Sequence, residues 1–508
     1  MKITGCIFYS RIIKSSINQF YGTIFLNGLV LVGFHNFNYP LQPRVGISGS
    51  RPPVRNTLVT NHGCHVTILA VTTHNSPSLS KLLHSATRKL LSIVELPLVD
   101  ISGRADPGAA VVTRLAVMMR EALPAIRSAL SDPKLRRPRT VFIANLFGTE
   151  SLQIADELCM PKYLFVPTNT WFAALTSYCH VLDREVSGQY VDQVEPLRLP
   201  GCIPVRPGDV IDPMLDRDDQ QYREIVRIGI EFSLADGILI NTWEDLERAT
   251  LAALRGDDFA KVPVYPIGPL TKPAEESGSD DELFEWLNEQ PVDSVVYVSF
   301  GSGGTLSAEQ NAELAWGLEL SRQRFVWVVR RPVEGRSDAS FFKSGGGPKG
   351  EPDFLPPEFL TRSRNVGKLV PEWVPQVKIL SHPSVGAFLS HCGWNSILES
   401  LTNGVPIIAW PLYAEQRMNA TFLVEELGVA VKPSTLPTKK VVERGEIEEM
   451  VRSVMDSEQG KAMRERVREL KRSAEMAKGE GGSSYQAICD LLKDCQSKLD
   501  SNNARLVI

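Results

Sequence analysis

The chain lacks a CxxC pair, zinc-ligand spacing and an HExxH run, and its eight cysteines are scattered at Cys6, Cys64, Cys159, Cys179, Cys202, Cys392, Cys489 and Cys495. That scatter excludes a disulfide framework, argues against a bound metal, and fits reduced, mostly buried thiols in a cytoplasmic protein. Neither charge is in excess: 55 Lys and Arg stand against 59 Asp and Glu, a net charge of −4. A general electrostatic nucleic-acid binder shows a basic excess, so no nucleic-acid partner is expected. A membrane-spanning helix needs about 20 apolar residues, whereas the apolar stretch Tyr21–Phe34 (YGTIFLNGLVLVGF) has about 14, with Asn27 inside it. It sits too far from Met1 and lacks the cleavage site of a signal peptide. A buried strand or an extension is expected there, and no stable membrane insertion. The G-x-G-x-x-G fingerprint of a dinucleotide oxidoreductase is also missing.

What is present is globular. Hydrophobic residues make up 43% and charged residues 22% of 508, enough for two large or three small domains. From about residue 62, β-branched apolar runs of strand length alternate with helical patterns: His65–Thr72, then helices near Ser78–Leu91 and Ala109–Leu130, strands Thr140–Leu146 and Tyr163–Val166, and strand Gly237–Asn241. Continuous apolar strands separated by helices predict a parallel sheet covered on both faces. The alternation stops in Pro269–Glu282 (PLTKPAEESGSDDE), a Pro-, Ser- and acid-rich stretch, and restarts at Val295–Phe300. The domains expected are an atypical segment 1–61, a first doubly wound domain 62–268, a linker 269–293 and a second doubly wound domain 294–460. The charged helical tail 461–508 is expected to pack back on the first domain.

The chemistry concentrates in the second domain. Strand Val295–Phe300 runs into Gly301-Ser302-Gly303-Gly304-Thr305, and a helix follows. Such a turn offers free backbone N–H groups to an anion, although it also serves as a mere tight connection. Ser390-His391-Cys392-Gly393-Trp394-Asn395-Ser396 repeats the arrangement after strand Gly386–Ser390. Asn395 or Ser396 is placed to cap the helix, Gly393 lets the backbone approach closely, and His391 adds a ring N–H. Trp394 reads either as core or as part of the pocket wall. Glu399, one turn beyond Asn395, presents a carboxylate to sugar hydroxyls. Trp373, just before Pro375 and Gln376, can stack a base ring, and Glu415-Gln416 opens a further helix. Two phosphate-type turns in one domain suggest a nucleotide diphosphate at the carboxyl ends of parallel strands.

The 44 residues Trp373–Gln416 (WVPQVKILSHPSVGAFLSHCGWNSILESLTNGVPIIAWPLYAEQ) resemble the signature box of plant family 1 UDP-glycosyltransferases, the secondary-product glycosyltransferases of GT-B fold. The likeness extends over about residues 62–495. Leu199–Pro204 (LPGCIP), Tyr265–Leu270 (YPIGPL) and Tyr297–Leu306 (YVSFGSGGTL) look most like the hydroquinone and phenylpropanoid glucosyltransferase branch. The resemblance implies two Rossmann-like domains facing a cleft, UDP-glucose as co-substrate with no other cofactor, a small phenolic acceptor, and a monomer. It also implies roles. Trp373 would stack the uracil, and Gln376 with Glu399 would hold the ribose. Ser302, His391, Asn395 and Ser396 would bind the diphosphate, with Trp394 beside the sugar. Glu415 and Gln416 would read the sugar hydroxyls. Val374, Gly393 and Tyr413 complete the implied donor site.

The acceptor half departs from that pattern. The family's first strand leads into a Gly-x-Gly-His-x-x-Pro turn whose His takes the acceptor proton, and no such turn exists in this chain. The Asp that orients that His would stand in a Val-Asp-Leu-Phe-Gly stretch, where this chain has Ala144-Asn145-Leu146-Phe147-Gly148. Residues 1–60 do not resemble the family. His35, following the strand-like Leu29–Phe34, is the available stand-in for the base, while His62 and His65 read as structural. Two functions follow from these residues: an inverting UDP-glucose-dependent O-glucosyltransferase acting on small phenolics, or a UDP-sugar-binding homologue, or mis-assembled gene product, without the catalytic His.

Overall fold

The computed structural model describes residues 28–33, 64–73, 91–106, 108–135, 139–256, 259, 261–271, 281–334, 352–371 and 374–505. They divide into two compact units. The N-terminal unit takes the described residues up to Gly208, then those of Pro213–Leu270, and those from Met476 onward. The C-terminal unit takes Thr271–Glu475 and a short strap, Asp209–Asp212, borrowed from the first half of the chain.

The N-terminal unit is built on a seven-stranded sheet in the order β3-β2-β1-β4-β5-β6-β7. Its strands are β1 Gly28–Gly33, β2 His65–Ala70, β3 Leu91–Glu95, β4 Thr140–Asn145, β5 Lys162–Val166, β6 Ile238–Ile240 and β7 Val264–Pro266. Every residue of β4 is buried, as expected of a strand covered on both faces. β2 to β7 pair in parallel wherever they adjoin. β1 does not: it runs antiparallel to both neighbours, with Gly28 opposite Ala70 and Gly33 opposite His65 and Thr140. Gly28–Gly33 of the atypical N-terminal segment therefore fill an interior slot of the sheet in reverse.

The single helix expected at Ala109–Leu130 is two, Val111–Glu121 and Leu123–Ser131, joined at Ala122. Pro124 lacks an N–H, so the chain restarts a helix there with the proline in its first turn, where that N–H is not needed. One face of the sheet, including Val66, Ile143, Tyr163 and Leu239, is covered by Ile488, Leu491, Leu492 and Cys495 of the last helix, Ser483–Arg505. The Tyr163 hydroxyl donates to Asp494 Oδ2 at 2.7 Å. The tail is divided: Lys461–Glu475 clusters with the C-terminal unit and only the part from Met476 with the N-terminal one.

The C-terminal unit carries a six-stranded, wholly parallel sheet in the order β10-β9-β8-β11-β12-β13. The strands are β8 Val295–Ser299, β9 Arg324–Val329, β10 Gly367–Pro371, β11 Val385–Ser390, β12 Ile407–Ala409 and β13 Ala430–Val431. This is the doubly wound order in which strand direction of travel reverses between the first and fourth strands, opening a crevice at their carboxyl ends. Inside the expected linker 269–293, Asp281–Asn288 forms a helix that buries Leu283, Phe284 and Leu287 against β8, β9 and β11. The helix expected near Ser78–Leu91 falls at 78–90 outside the described residues, and Leu91 itself begins β3. Among the described residues no helix is long and apolar enough to cross a membrane, and no cluster of ligands could hold a metal.

Candidate functional site

The crevice between β8 and β11 is where the two glycine-bearing turns meet. His391 follows β11 directly, and its ring fills space that two glycines leave open. A β-carbon on Gly301 would lie 2.4 Å from His391 Nε2, and one on Gly393 would lie 2.5 Å from the same atom. Gly301 also has φ +69°, a left-handed conformation that L side chains avoid. The imidazole is buried, and its Nδ1 has no hydrogen-bond partner among the described residues. Burial first, and then the charge of Arg330, push its pKa down to about 3. His391 is therefore a neutral donor-acceptor at the carboxyl edge of the sheet, able to offer an N–H to an anion without carrying charge itself.

The helix after β8 begins at Ala308, where its sequence predicts it. Ala308–Leu320 is capped by Ser307, whose Oγ accepts the Gln310 N–H at 3.1 Å. Ser302 stands exposed in the intervening turn. After β11 the arrangement is tighter: helix Trp394–Asn403 starts at Gly393 with no side-chain cap, leaving its first N–H groups pointing outward. The cap expected from Asn395 or Ser396 is absent because Gly393 holds the N-cap position and both residues lie within the first turn, Asn395 exposed and Ser396 buried. Ser396 Oγ accepts from Gln376 Nε2 at 3.0 Å, and Glu399 Oε2 accepts from the same nitrogen at 2.7 Å. The Tyr297 hydroxyl, buried under β8, donates to Gln376 Oε1 at 3.3 Å. Gln376, Ser396 and Glu399 thus form one polar group at the start of helix Gln376–Leu380. Val374 lies with its side chain in the apolar cluster that includes Leu380 and Phe388, so anything it offers a ligand comes from its backbone. Trp394 is buried, its ring 6.1 Å from that of Phe422. Trp373 lies outside the described residues.

The third part of the site follows β12. Tyr413, Ala414 and Glu415 are half-buried, and Glu415 holds the N-cap position of helix Gln416–Thr421 without a side-chain capping bond. Gln416 is buried and accepts on Oε1 from the backbone N–H groups of Leu412 (2.9 Å) and Tyr413 (3.0 Å). Its Nε2 makes no hydrogen bond among the described residues. Ala414 has φ +57° and Cys392 φ +63°, so both loops place a non-glycine residue in the left-handed region, as chains do at sites held for a purpose. Asn419 ties the loops together, donating from Nδ2 to the Cys392 carbonyl at 2.9 Å. Asp212, Arg417, Asn419 and Arg330 belong to this site and were not singled out from the sequence. Arg417 and Asn419 follow directly on the 44-residue box, while Asp212 and Arg330 lie in no stretch that would have flagged them.

In the N-terminal unit, Asn145 ends β4, is buried, and leads into a short 3₁₀ turn, Leu146–Gly148. Beside that corner Arg120 grips Glu224 with both terminal nitrogens (3.1 and 2.8 Å) and Glu150 with Nε (3.0 Å). Burial works against ionisation of Glu224, but the Arg120 hydrogen bonds and the charges of Arg227 and Arg120 outweigh it, and its pKa falls below the usual carboxylate range. These ion pairs fix helices Val111–Glu121 and Gln220–Glu231 around the corner. The chain enters β1 opposite the end of β2, at the edge that Asn145 marks, and leaves it opposite the starts of β2 and β4. Six residues of strand, about 20 Å, separate the two edges. His35 and His62 themselves lie outside the described residues.

Residues 259–470 match the family model of UDP-glucoronosyl and UDP-glucosyl transferases. The chain is 57% identical over 439 residues to anthocyanidin 3-O-glucosyltransferase 5 of Manihot esculenta, covering 85% of this chain and 90% of that protein. It is 39% identical over 473 residues to the hydroquinone glucosyltransferase of Rauvolfia serpentina, covering 92% and 99%. Among solved structures, Phytolacca americana UGT2 complexed with UDP-2fluoro-glucose and pterostilbene superposes with TM-score 0.76 at 39% identity, covering 85% of this chain and 92% of that one. With doubly wound sheets of this order, a diphosphate-type crevice at the β8/β11 switch point, and likeness of this extent, the chain belongs to the plant family 1 UDP-glycosyltransferases and has their GT-B fold.

Proposed function

We propose that the chain binds UDP-glucose and transfers its glucosyl group, with inversion, to the oxygen of a small phenolic or phenylpropanoid acceptor. In that reaction the acceptor oxygen forms a bond to the anomeric carbon as the bond from that carbon to the diphosphate oxygen breaks, and UDP leaves. The observation that carries the donor side is the uncapped N-terminus of helix Trp394–Asn403 beside the buried, neutral His391, which together suit the charge that grows on the departing diphosphate. The Gln376–Glu399 pair has the hydrogen-bonding groups a ribose requires, and Gln416 Nε2 those of a sugar hydroxyl. The names of the relatives, glucosyltransferases of an anthocyanidin and of hydroquinone, support a phenolic acceptor and glucose as the sugar.

A second reading has a specific observation behind it. The reversed β1 and Asn145 leave the acceptor side without the base turn, and a donor-binding protein with little or no turnover would look the same. Calorimetric titration with UDP-glucose, followed by an assay of UDP release with simple phenols, separates the two, with Trp373→Ala as the control for donor binding. Binding with phenol-dependent release supports the transferase, and binding without release supports the second reading. Failure to bind UDP-glucose would overturn both.

A further inference from the structure

We propose that Asp212 is a positioning residue for the sugar end of the donor site, acting through Ala414 on Glu415 and Gln416. The proposal rests on reading Glu415 and Gln416 as the pair that meets the sugar. Asp212 lies about two hundred residues before them, in the strap Asp209–Asp212 that packs within the C-terminal unit. Its backbone N–H donates to the Ala414 carbonyl at 2.9 Å, and its carboxylate Oδ2 accepts the Ala414 N–H at 2.8 Å. Both polar backbone groups of one residue are thus held by one aspartate. That residue is the one at φ +57°, a conformation alanine does not adopt unaided.

The same carboxylate reaches past the pair. Asp212 Oδ1 lies 2.8 Å from Arg417 Nη1, and the Arg417 side chain is 6% exposed. Asp212 therefore contacts residues 414 and 417, on either side of Glu415 and Gln416. The helix they open is α-helical over six residues, Gln416–Thr421, and runs on as a π-helix over Phe422–Glu426, still too short to hold its own geometry unaided. Its far end is anchored from the same strap: Lys432 Nζ donates to Thr421 Oγ1 at 2.9 Å and to Asp209 Oδ2 at 3.2 Å. The strap grips both ends of the α-helical part, and Asp212 sets the end that carries the pair. Loss of this hold should misplace the sugar contacts while leaving the diphosphate and ribose groups, on the β8 and β11 turns, where they are.

The test compares two ligands in one protein. The wild type, Asp212→Ala and Asp212→Asn are titrated calorimetrically with UDP and with UDP-glucose. Asp212→Ala is expected to weaken UDP-glucose about tenfold, the worth of one buried hydrogen bond, and to leave UDP within about twofold. Asp212→Asn keeps an acceptor for the Ala414 N–H but not the charge facing Arg417, and should fall between. Should Asp212→Ala fail to fold, the same difference between ligands is read from Asp212→Asn. An equal loss for both ligands, or no loss for either, overturns the proposal while the donor-site reading stands. A folded wild type that binds neither ligand overturns that reading, and the proposal with it.

Discussion

At the scale of single residues, the crevice between β8 and β11 depends on what is missing from two side chains. Gly301 and Gly393 leave room for one imidazole, and Gly301 adds a backbone conformation that a β-carbon disfavours. Gly301→Ala should therefore cost about 1–2 kcal/mol in backbone conformation alone, and also push His391 out of its cradle. The expected outcome is a loss of UDP affinity of at least about tenfold by calorimetry. An unchanged affinity would show that His391 does not meet the ligand. His391 also gives a pH signature. Its pKa is about 3 in the folded chain against an ordinary 6.5, so the unfolded chain takes up the proton first as pH falls. The contribution to stability is whole above pH 6.5 and is lost progressively as pH drops toward 3, with a slope of at most about 1.4 kcal/mol per pH unit. Urea denaturation of the wild type and His391→Asn across that range should show the wild type losing more. His382, whose pKa is lowered by burial and then by Lys378, is common to both and drops out of the difference.

At the scale of elements, the unusual feature is β1, a strand hydrogen-bonded on both sides in the middle of an otherwise parallel sheet. Leu31→Pro removes a ladder N–H from a central strand, which has no solvent to replace it. It should lower the stability of the N-terminal unit by about 1–3 kcal/mol, read as a shift of the urea midpoint, and a midpoint that does not move would mean that Gly28–Gly33 is not seated in the sheet. That a strand forms here is legible in Leu29–Phe34. Its direction is not, because a buried apolar run reads the same from either end. The βα alternation was legible for the same reason: each strand of a covered parallel sheet is a short, continuous apolar run. Helix Asp281–Asn288 was hidden by the acidic, proline-rich stretch before it, and its Leu283, Phe284 and Leu287 reveal themselves only once β8 and β11 are present to receive them. Within the site, what was legible is contiguous: His391, Ser396, Glu399 and Gln416 fall in one 44-residue box, and Gln376 reaches Glu399 across one strand and one turn. Asp212 was illegible because nothing near it in sequence shows that it meets Ala414.

At the scale of the whole molecule, the donor groups proposed for the C-terminal unit are accompanied, in the N-terminal unit, by Asn145 where the family resemblance implies an Asp. Glycosylation of a phenol releases a proton, and at pH 7 a phenol with a pKa of about 10 is almost wholly protonated. The carboxyl ends of β4, β5 and β6 lead into Asn145, Asn169 and Asn241, amides that form hydrogen bonds but accept no proton at that pH. Asn169 caps the next helix through Phe172 N at 2.8 Å, and Asn241 accepts from Leu270 N at 2.8 Å. Glu247, a carboxylate beside them, is buried and already takes the N–H and hydroxyl of Thr170. A positioned base ordinarily contributes about 10²–10⁴-fold. Without one, the reactive species is the acceptor's own anion, so the rate must follow the acceptor's ionisation. UDP release with a single phenol at saturating UDP-glucose should rise about tenfold per pH unit until the pH reaches that phenol's own pKa, and then level off. Across phenols compared at pH 7, the more acidic should react faster by several-fold per unit of pKa, with donor affinity constant throughout. A rate that levels off near pH 6–7 whichever phenol is used would instead report a titrating side chain of the protein. It would place a working base on the acceptor side despite Asn145 and the reversed strand.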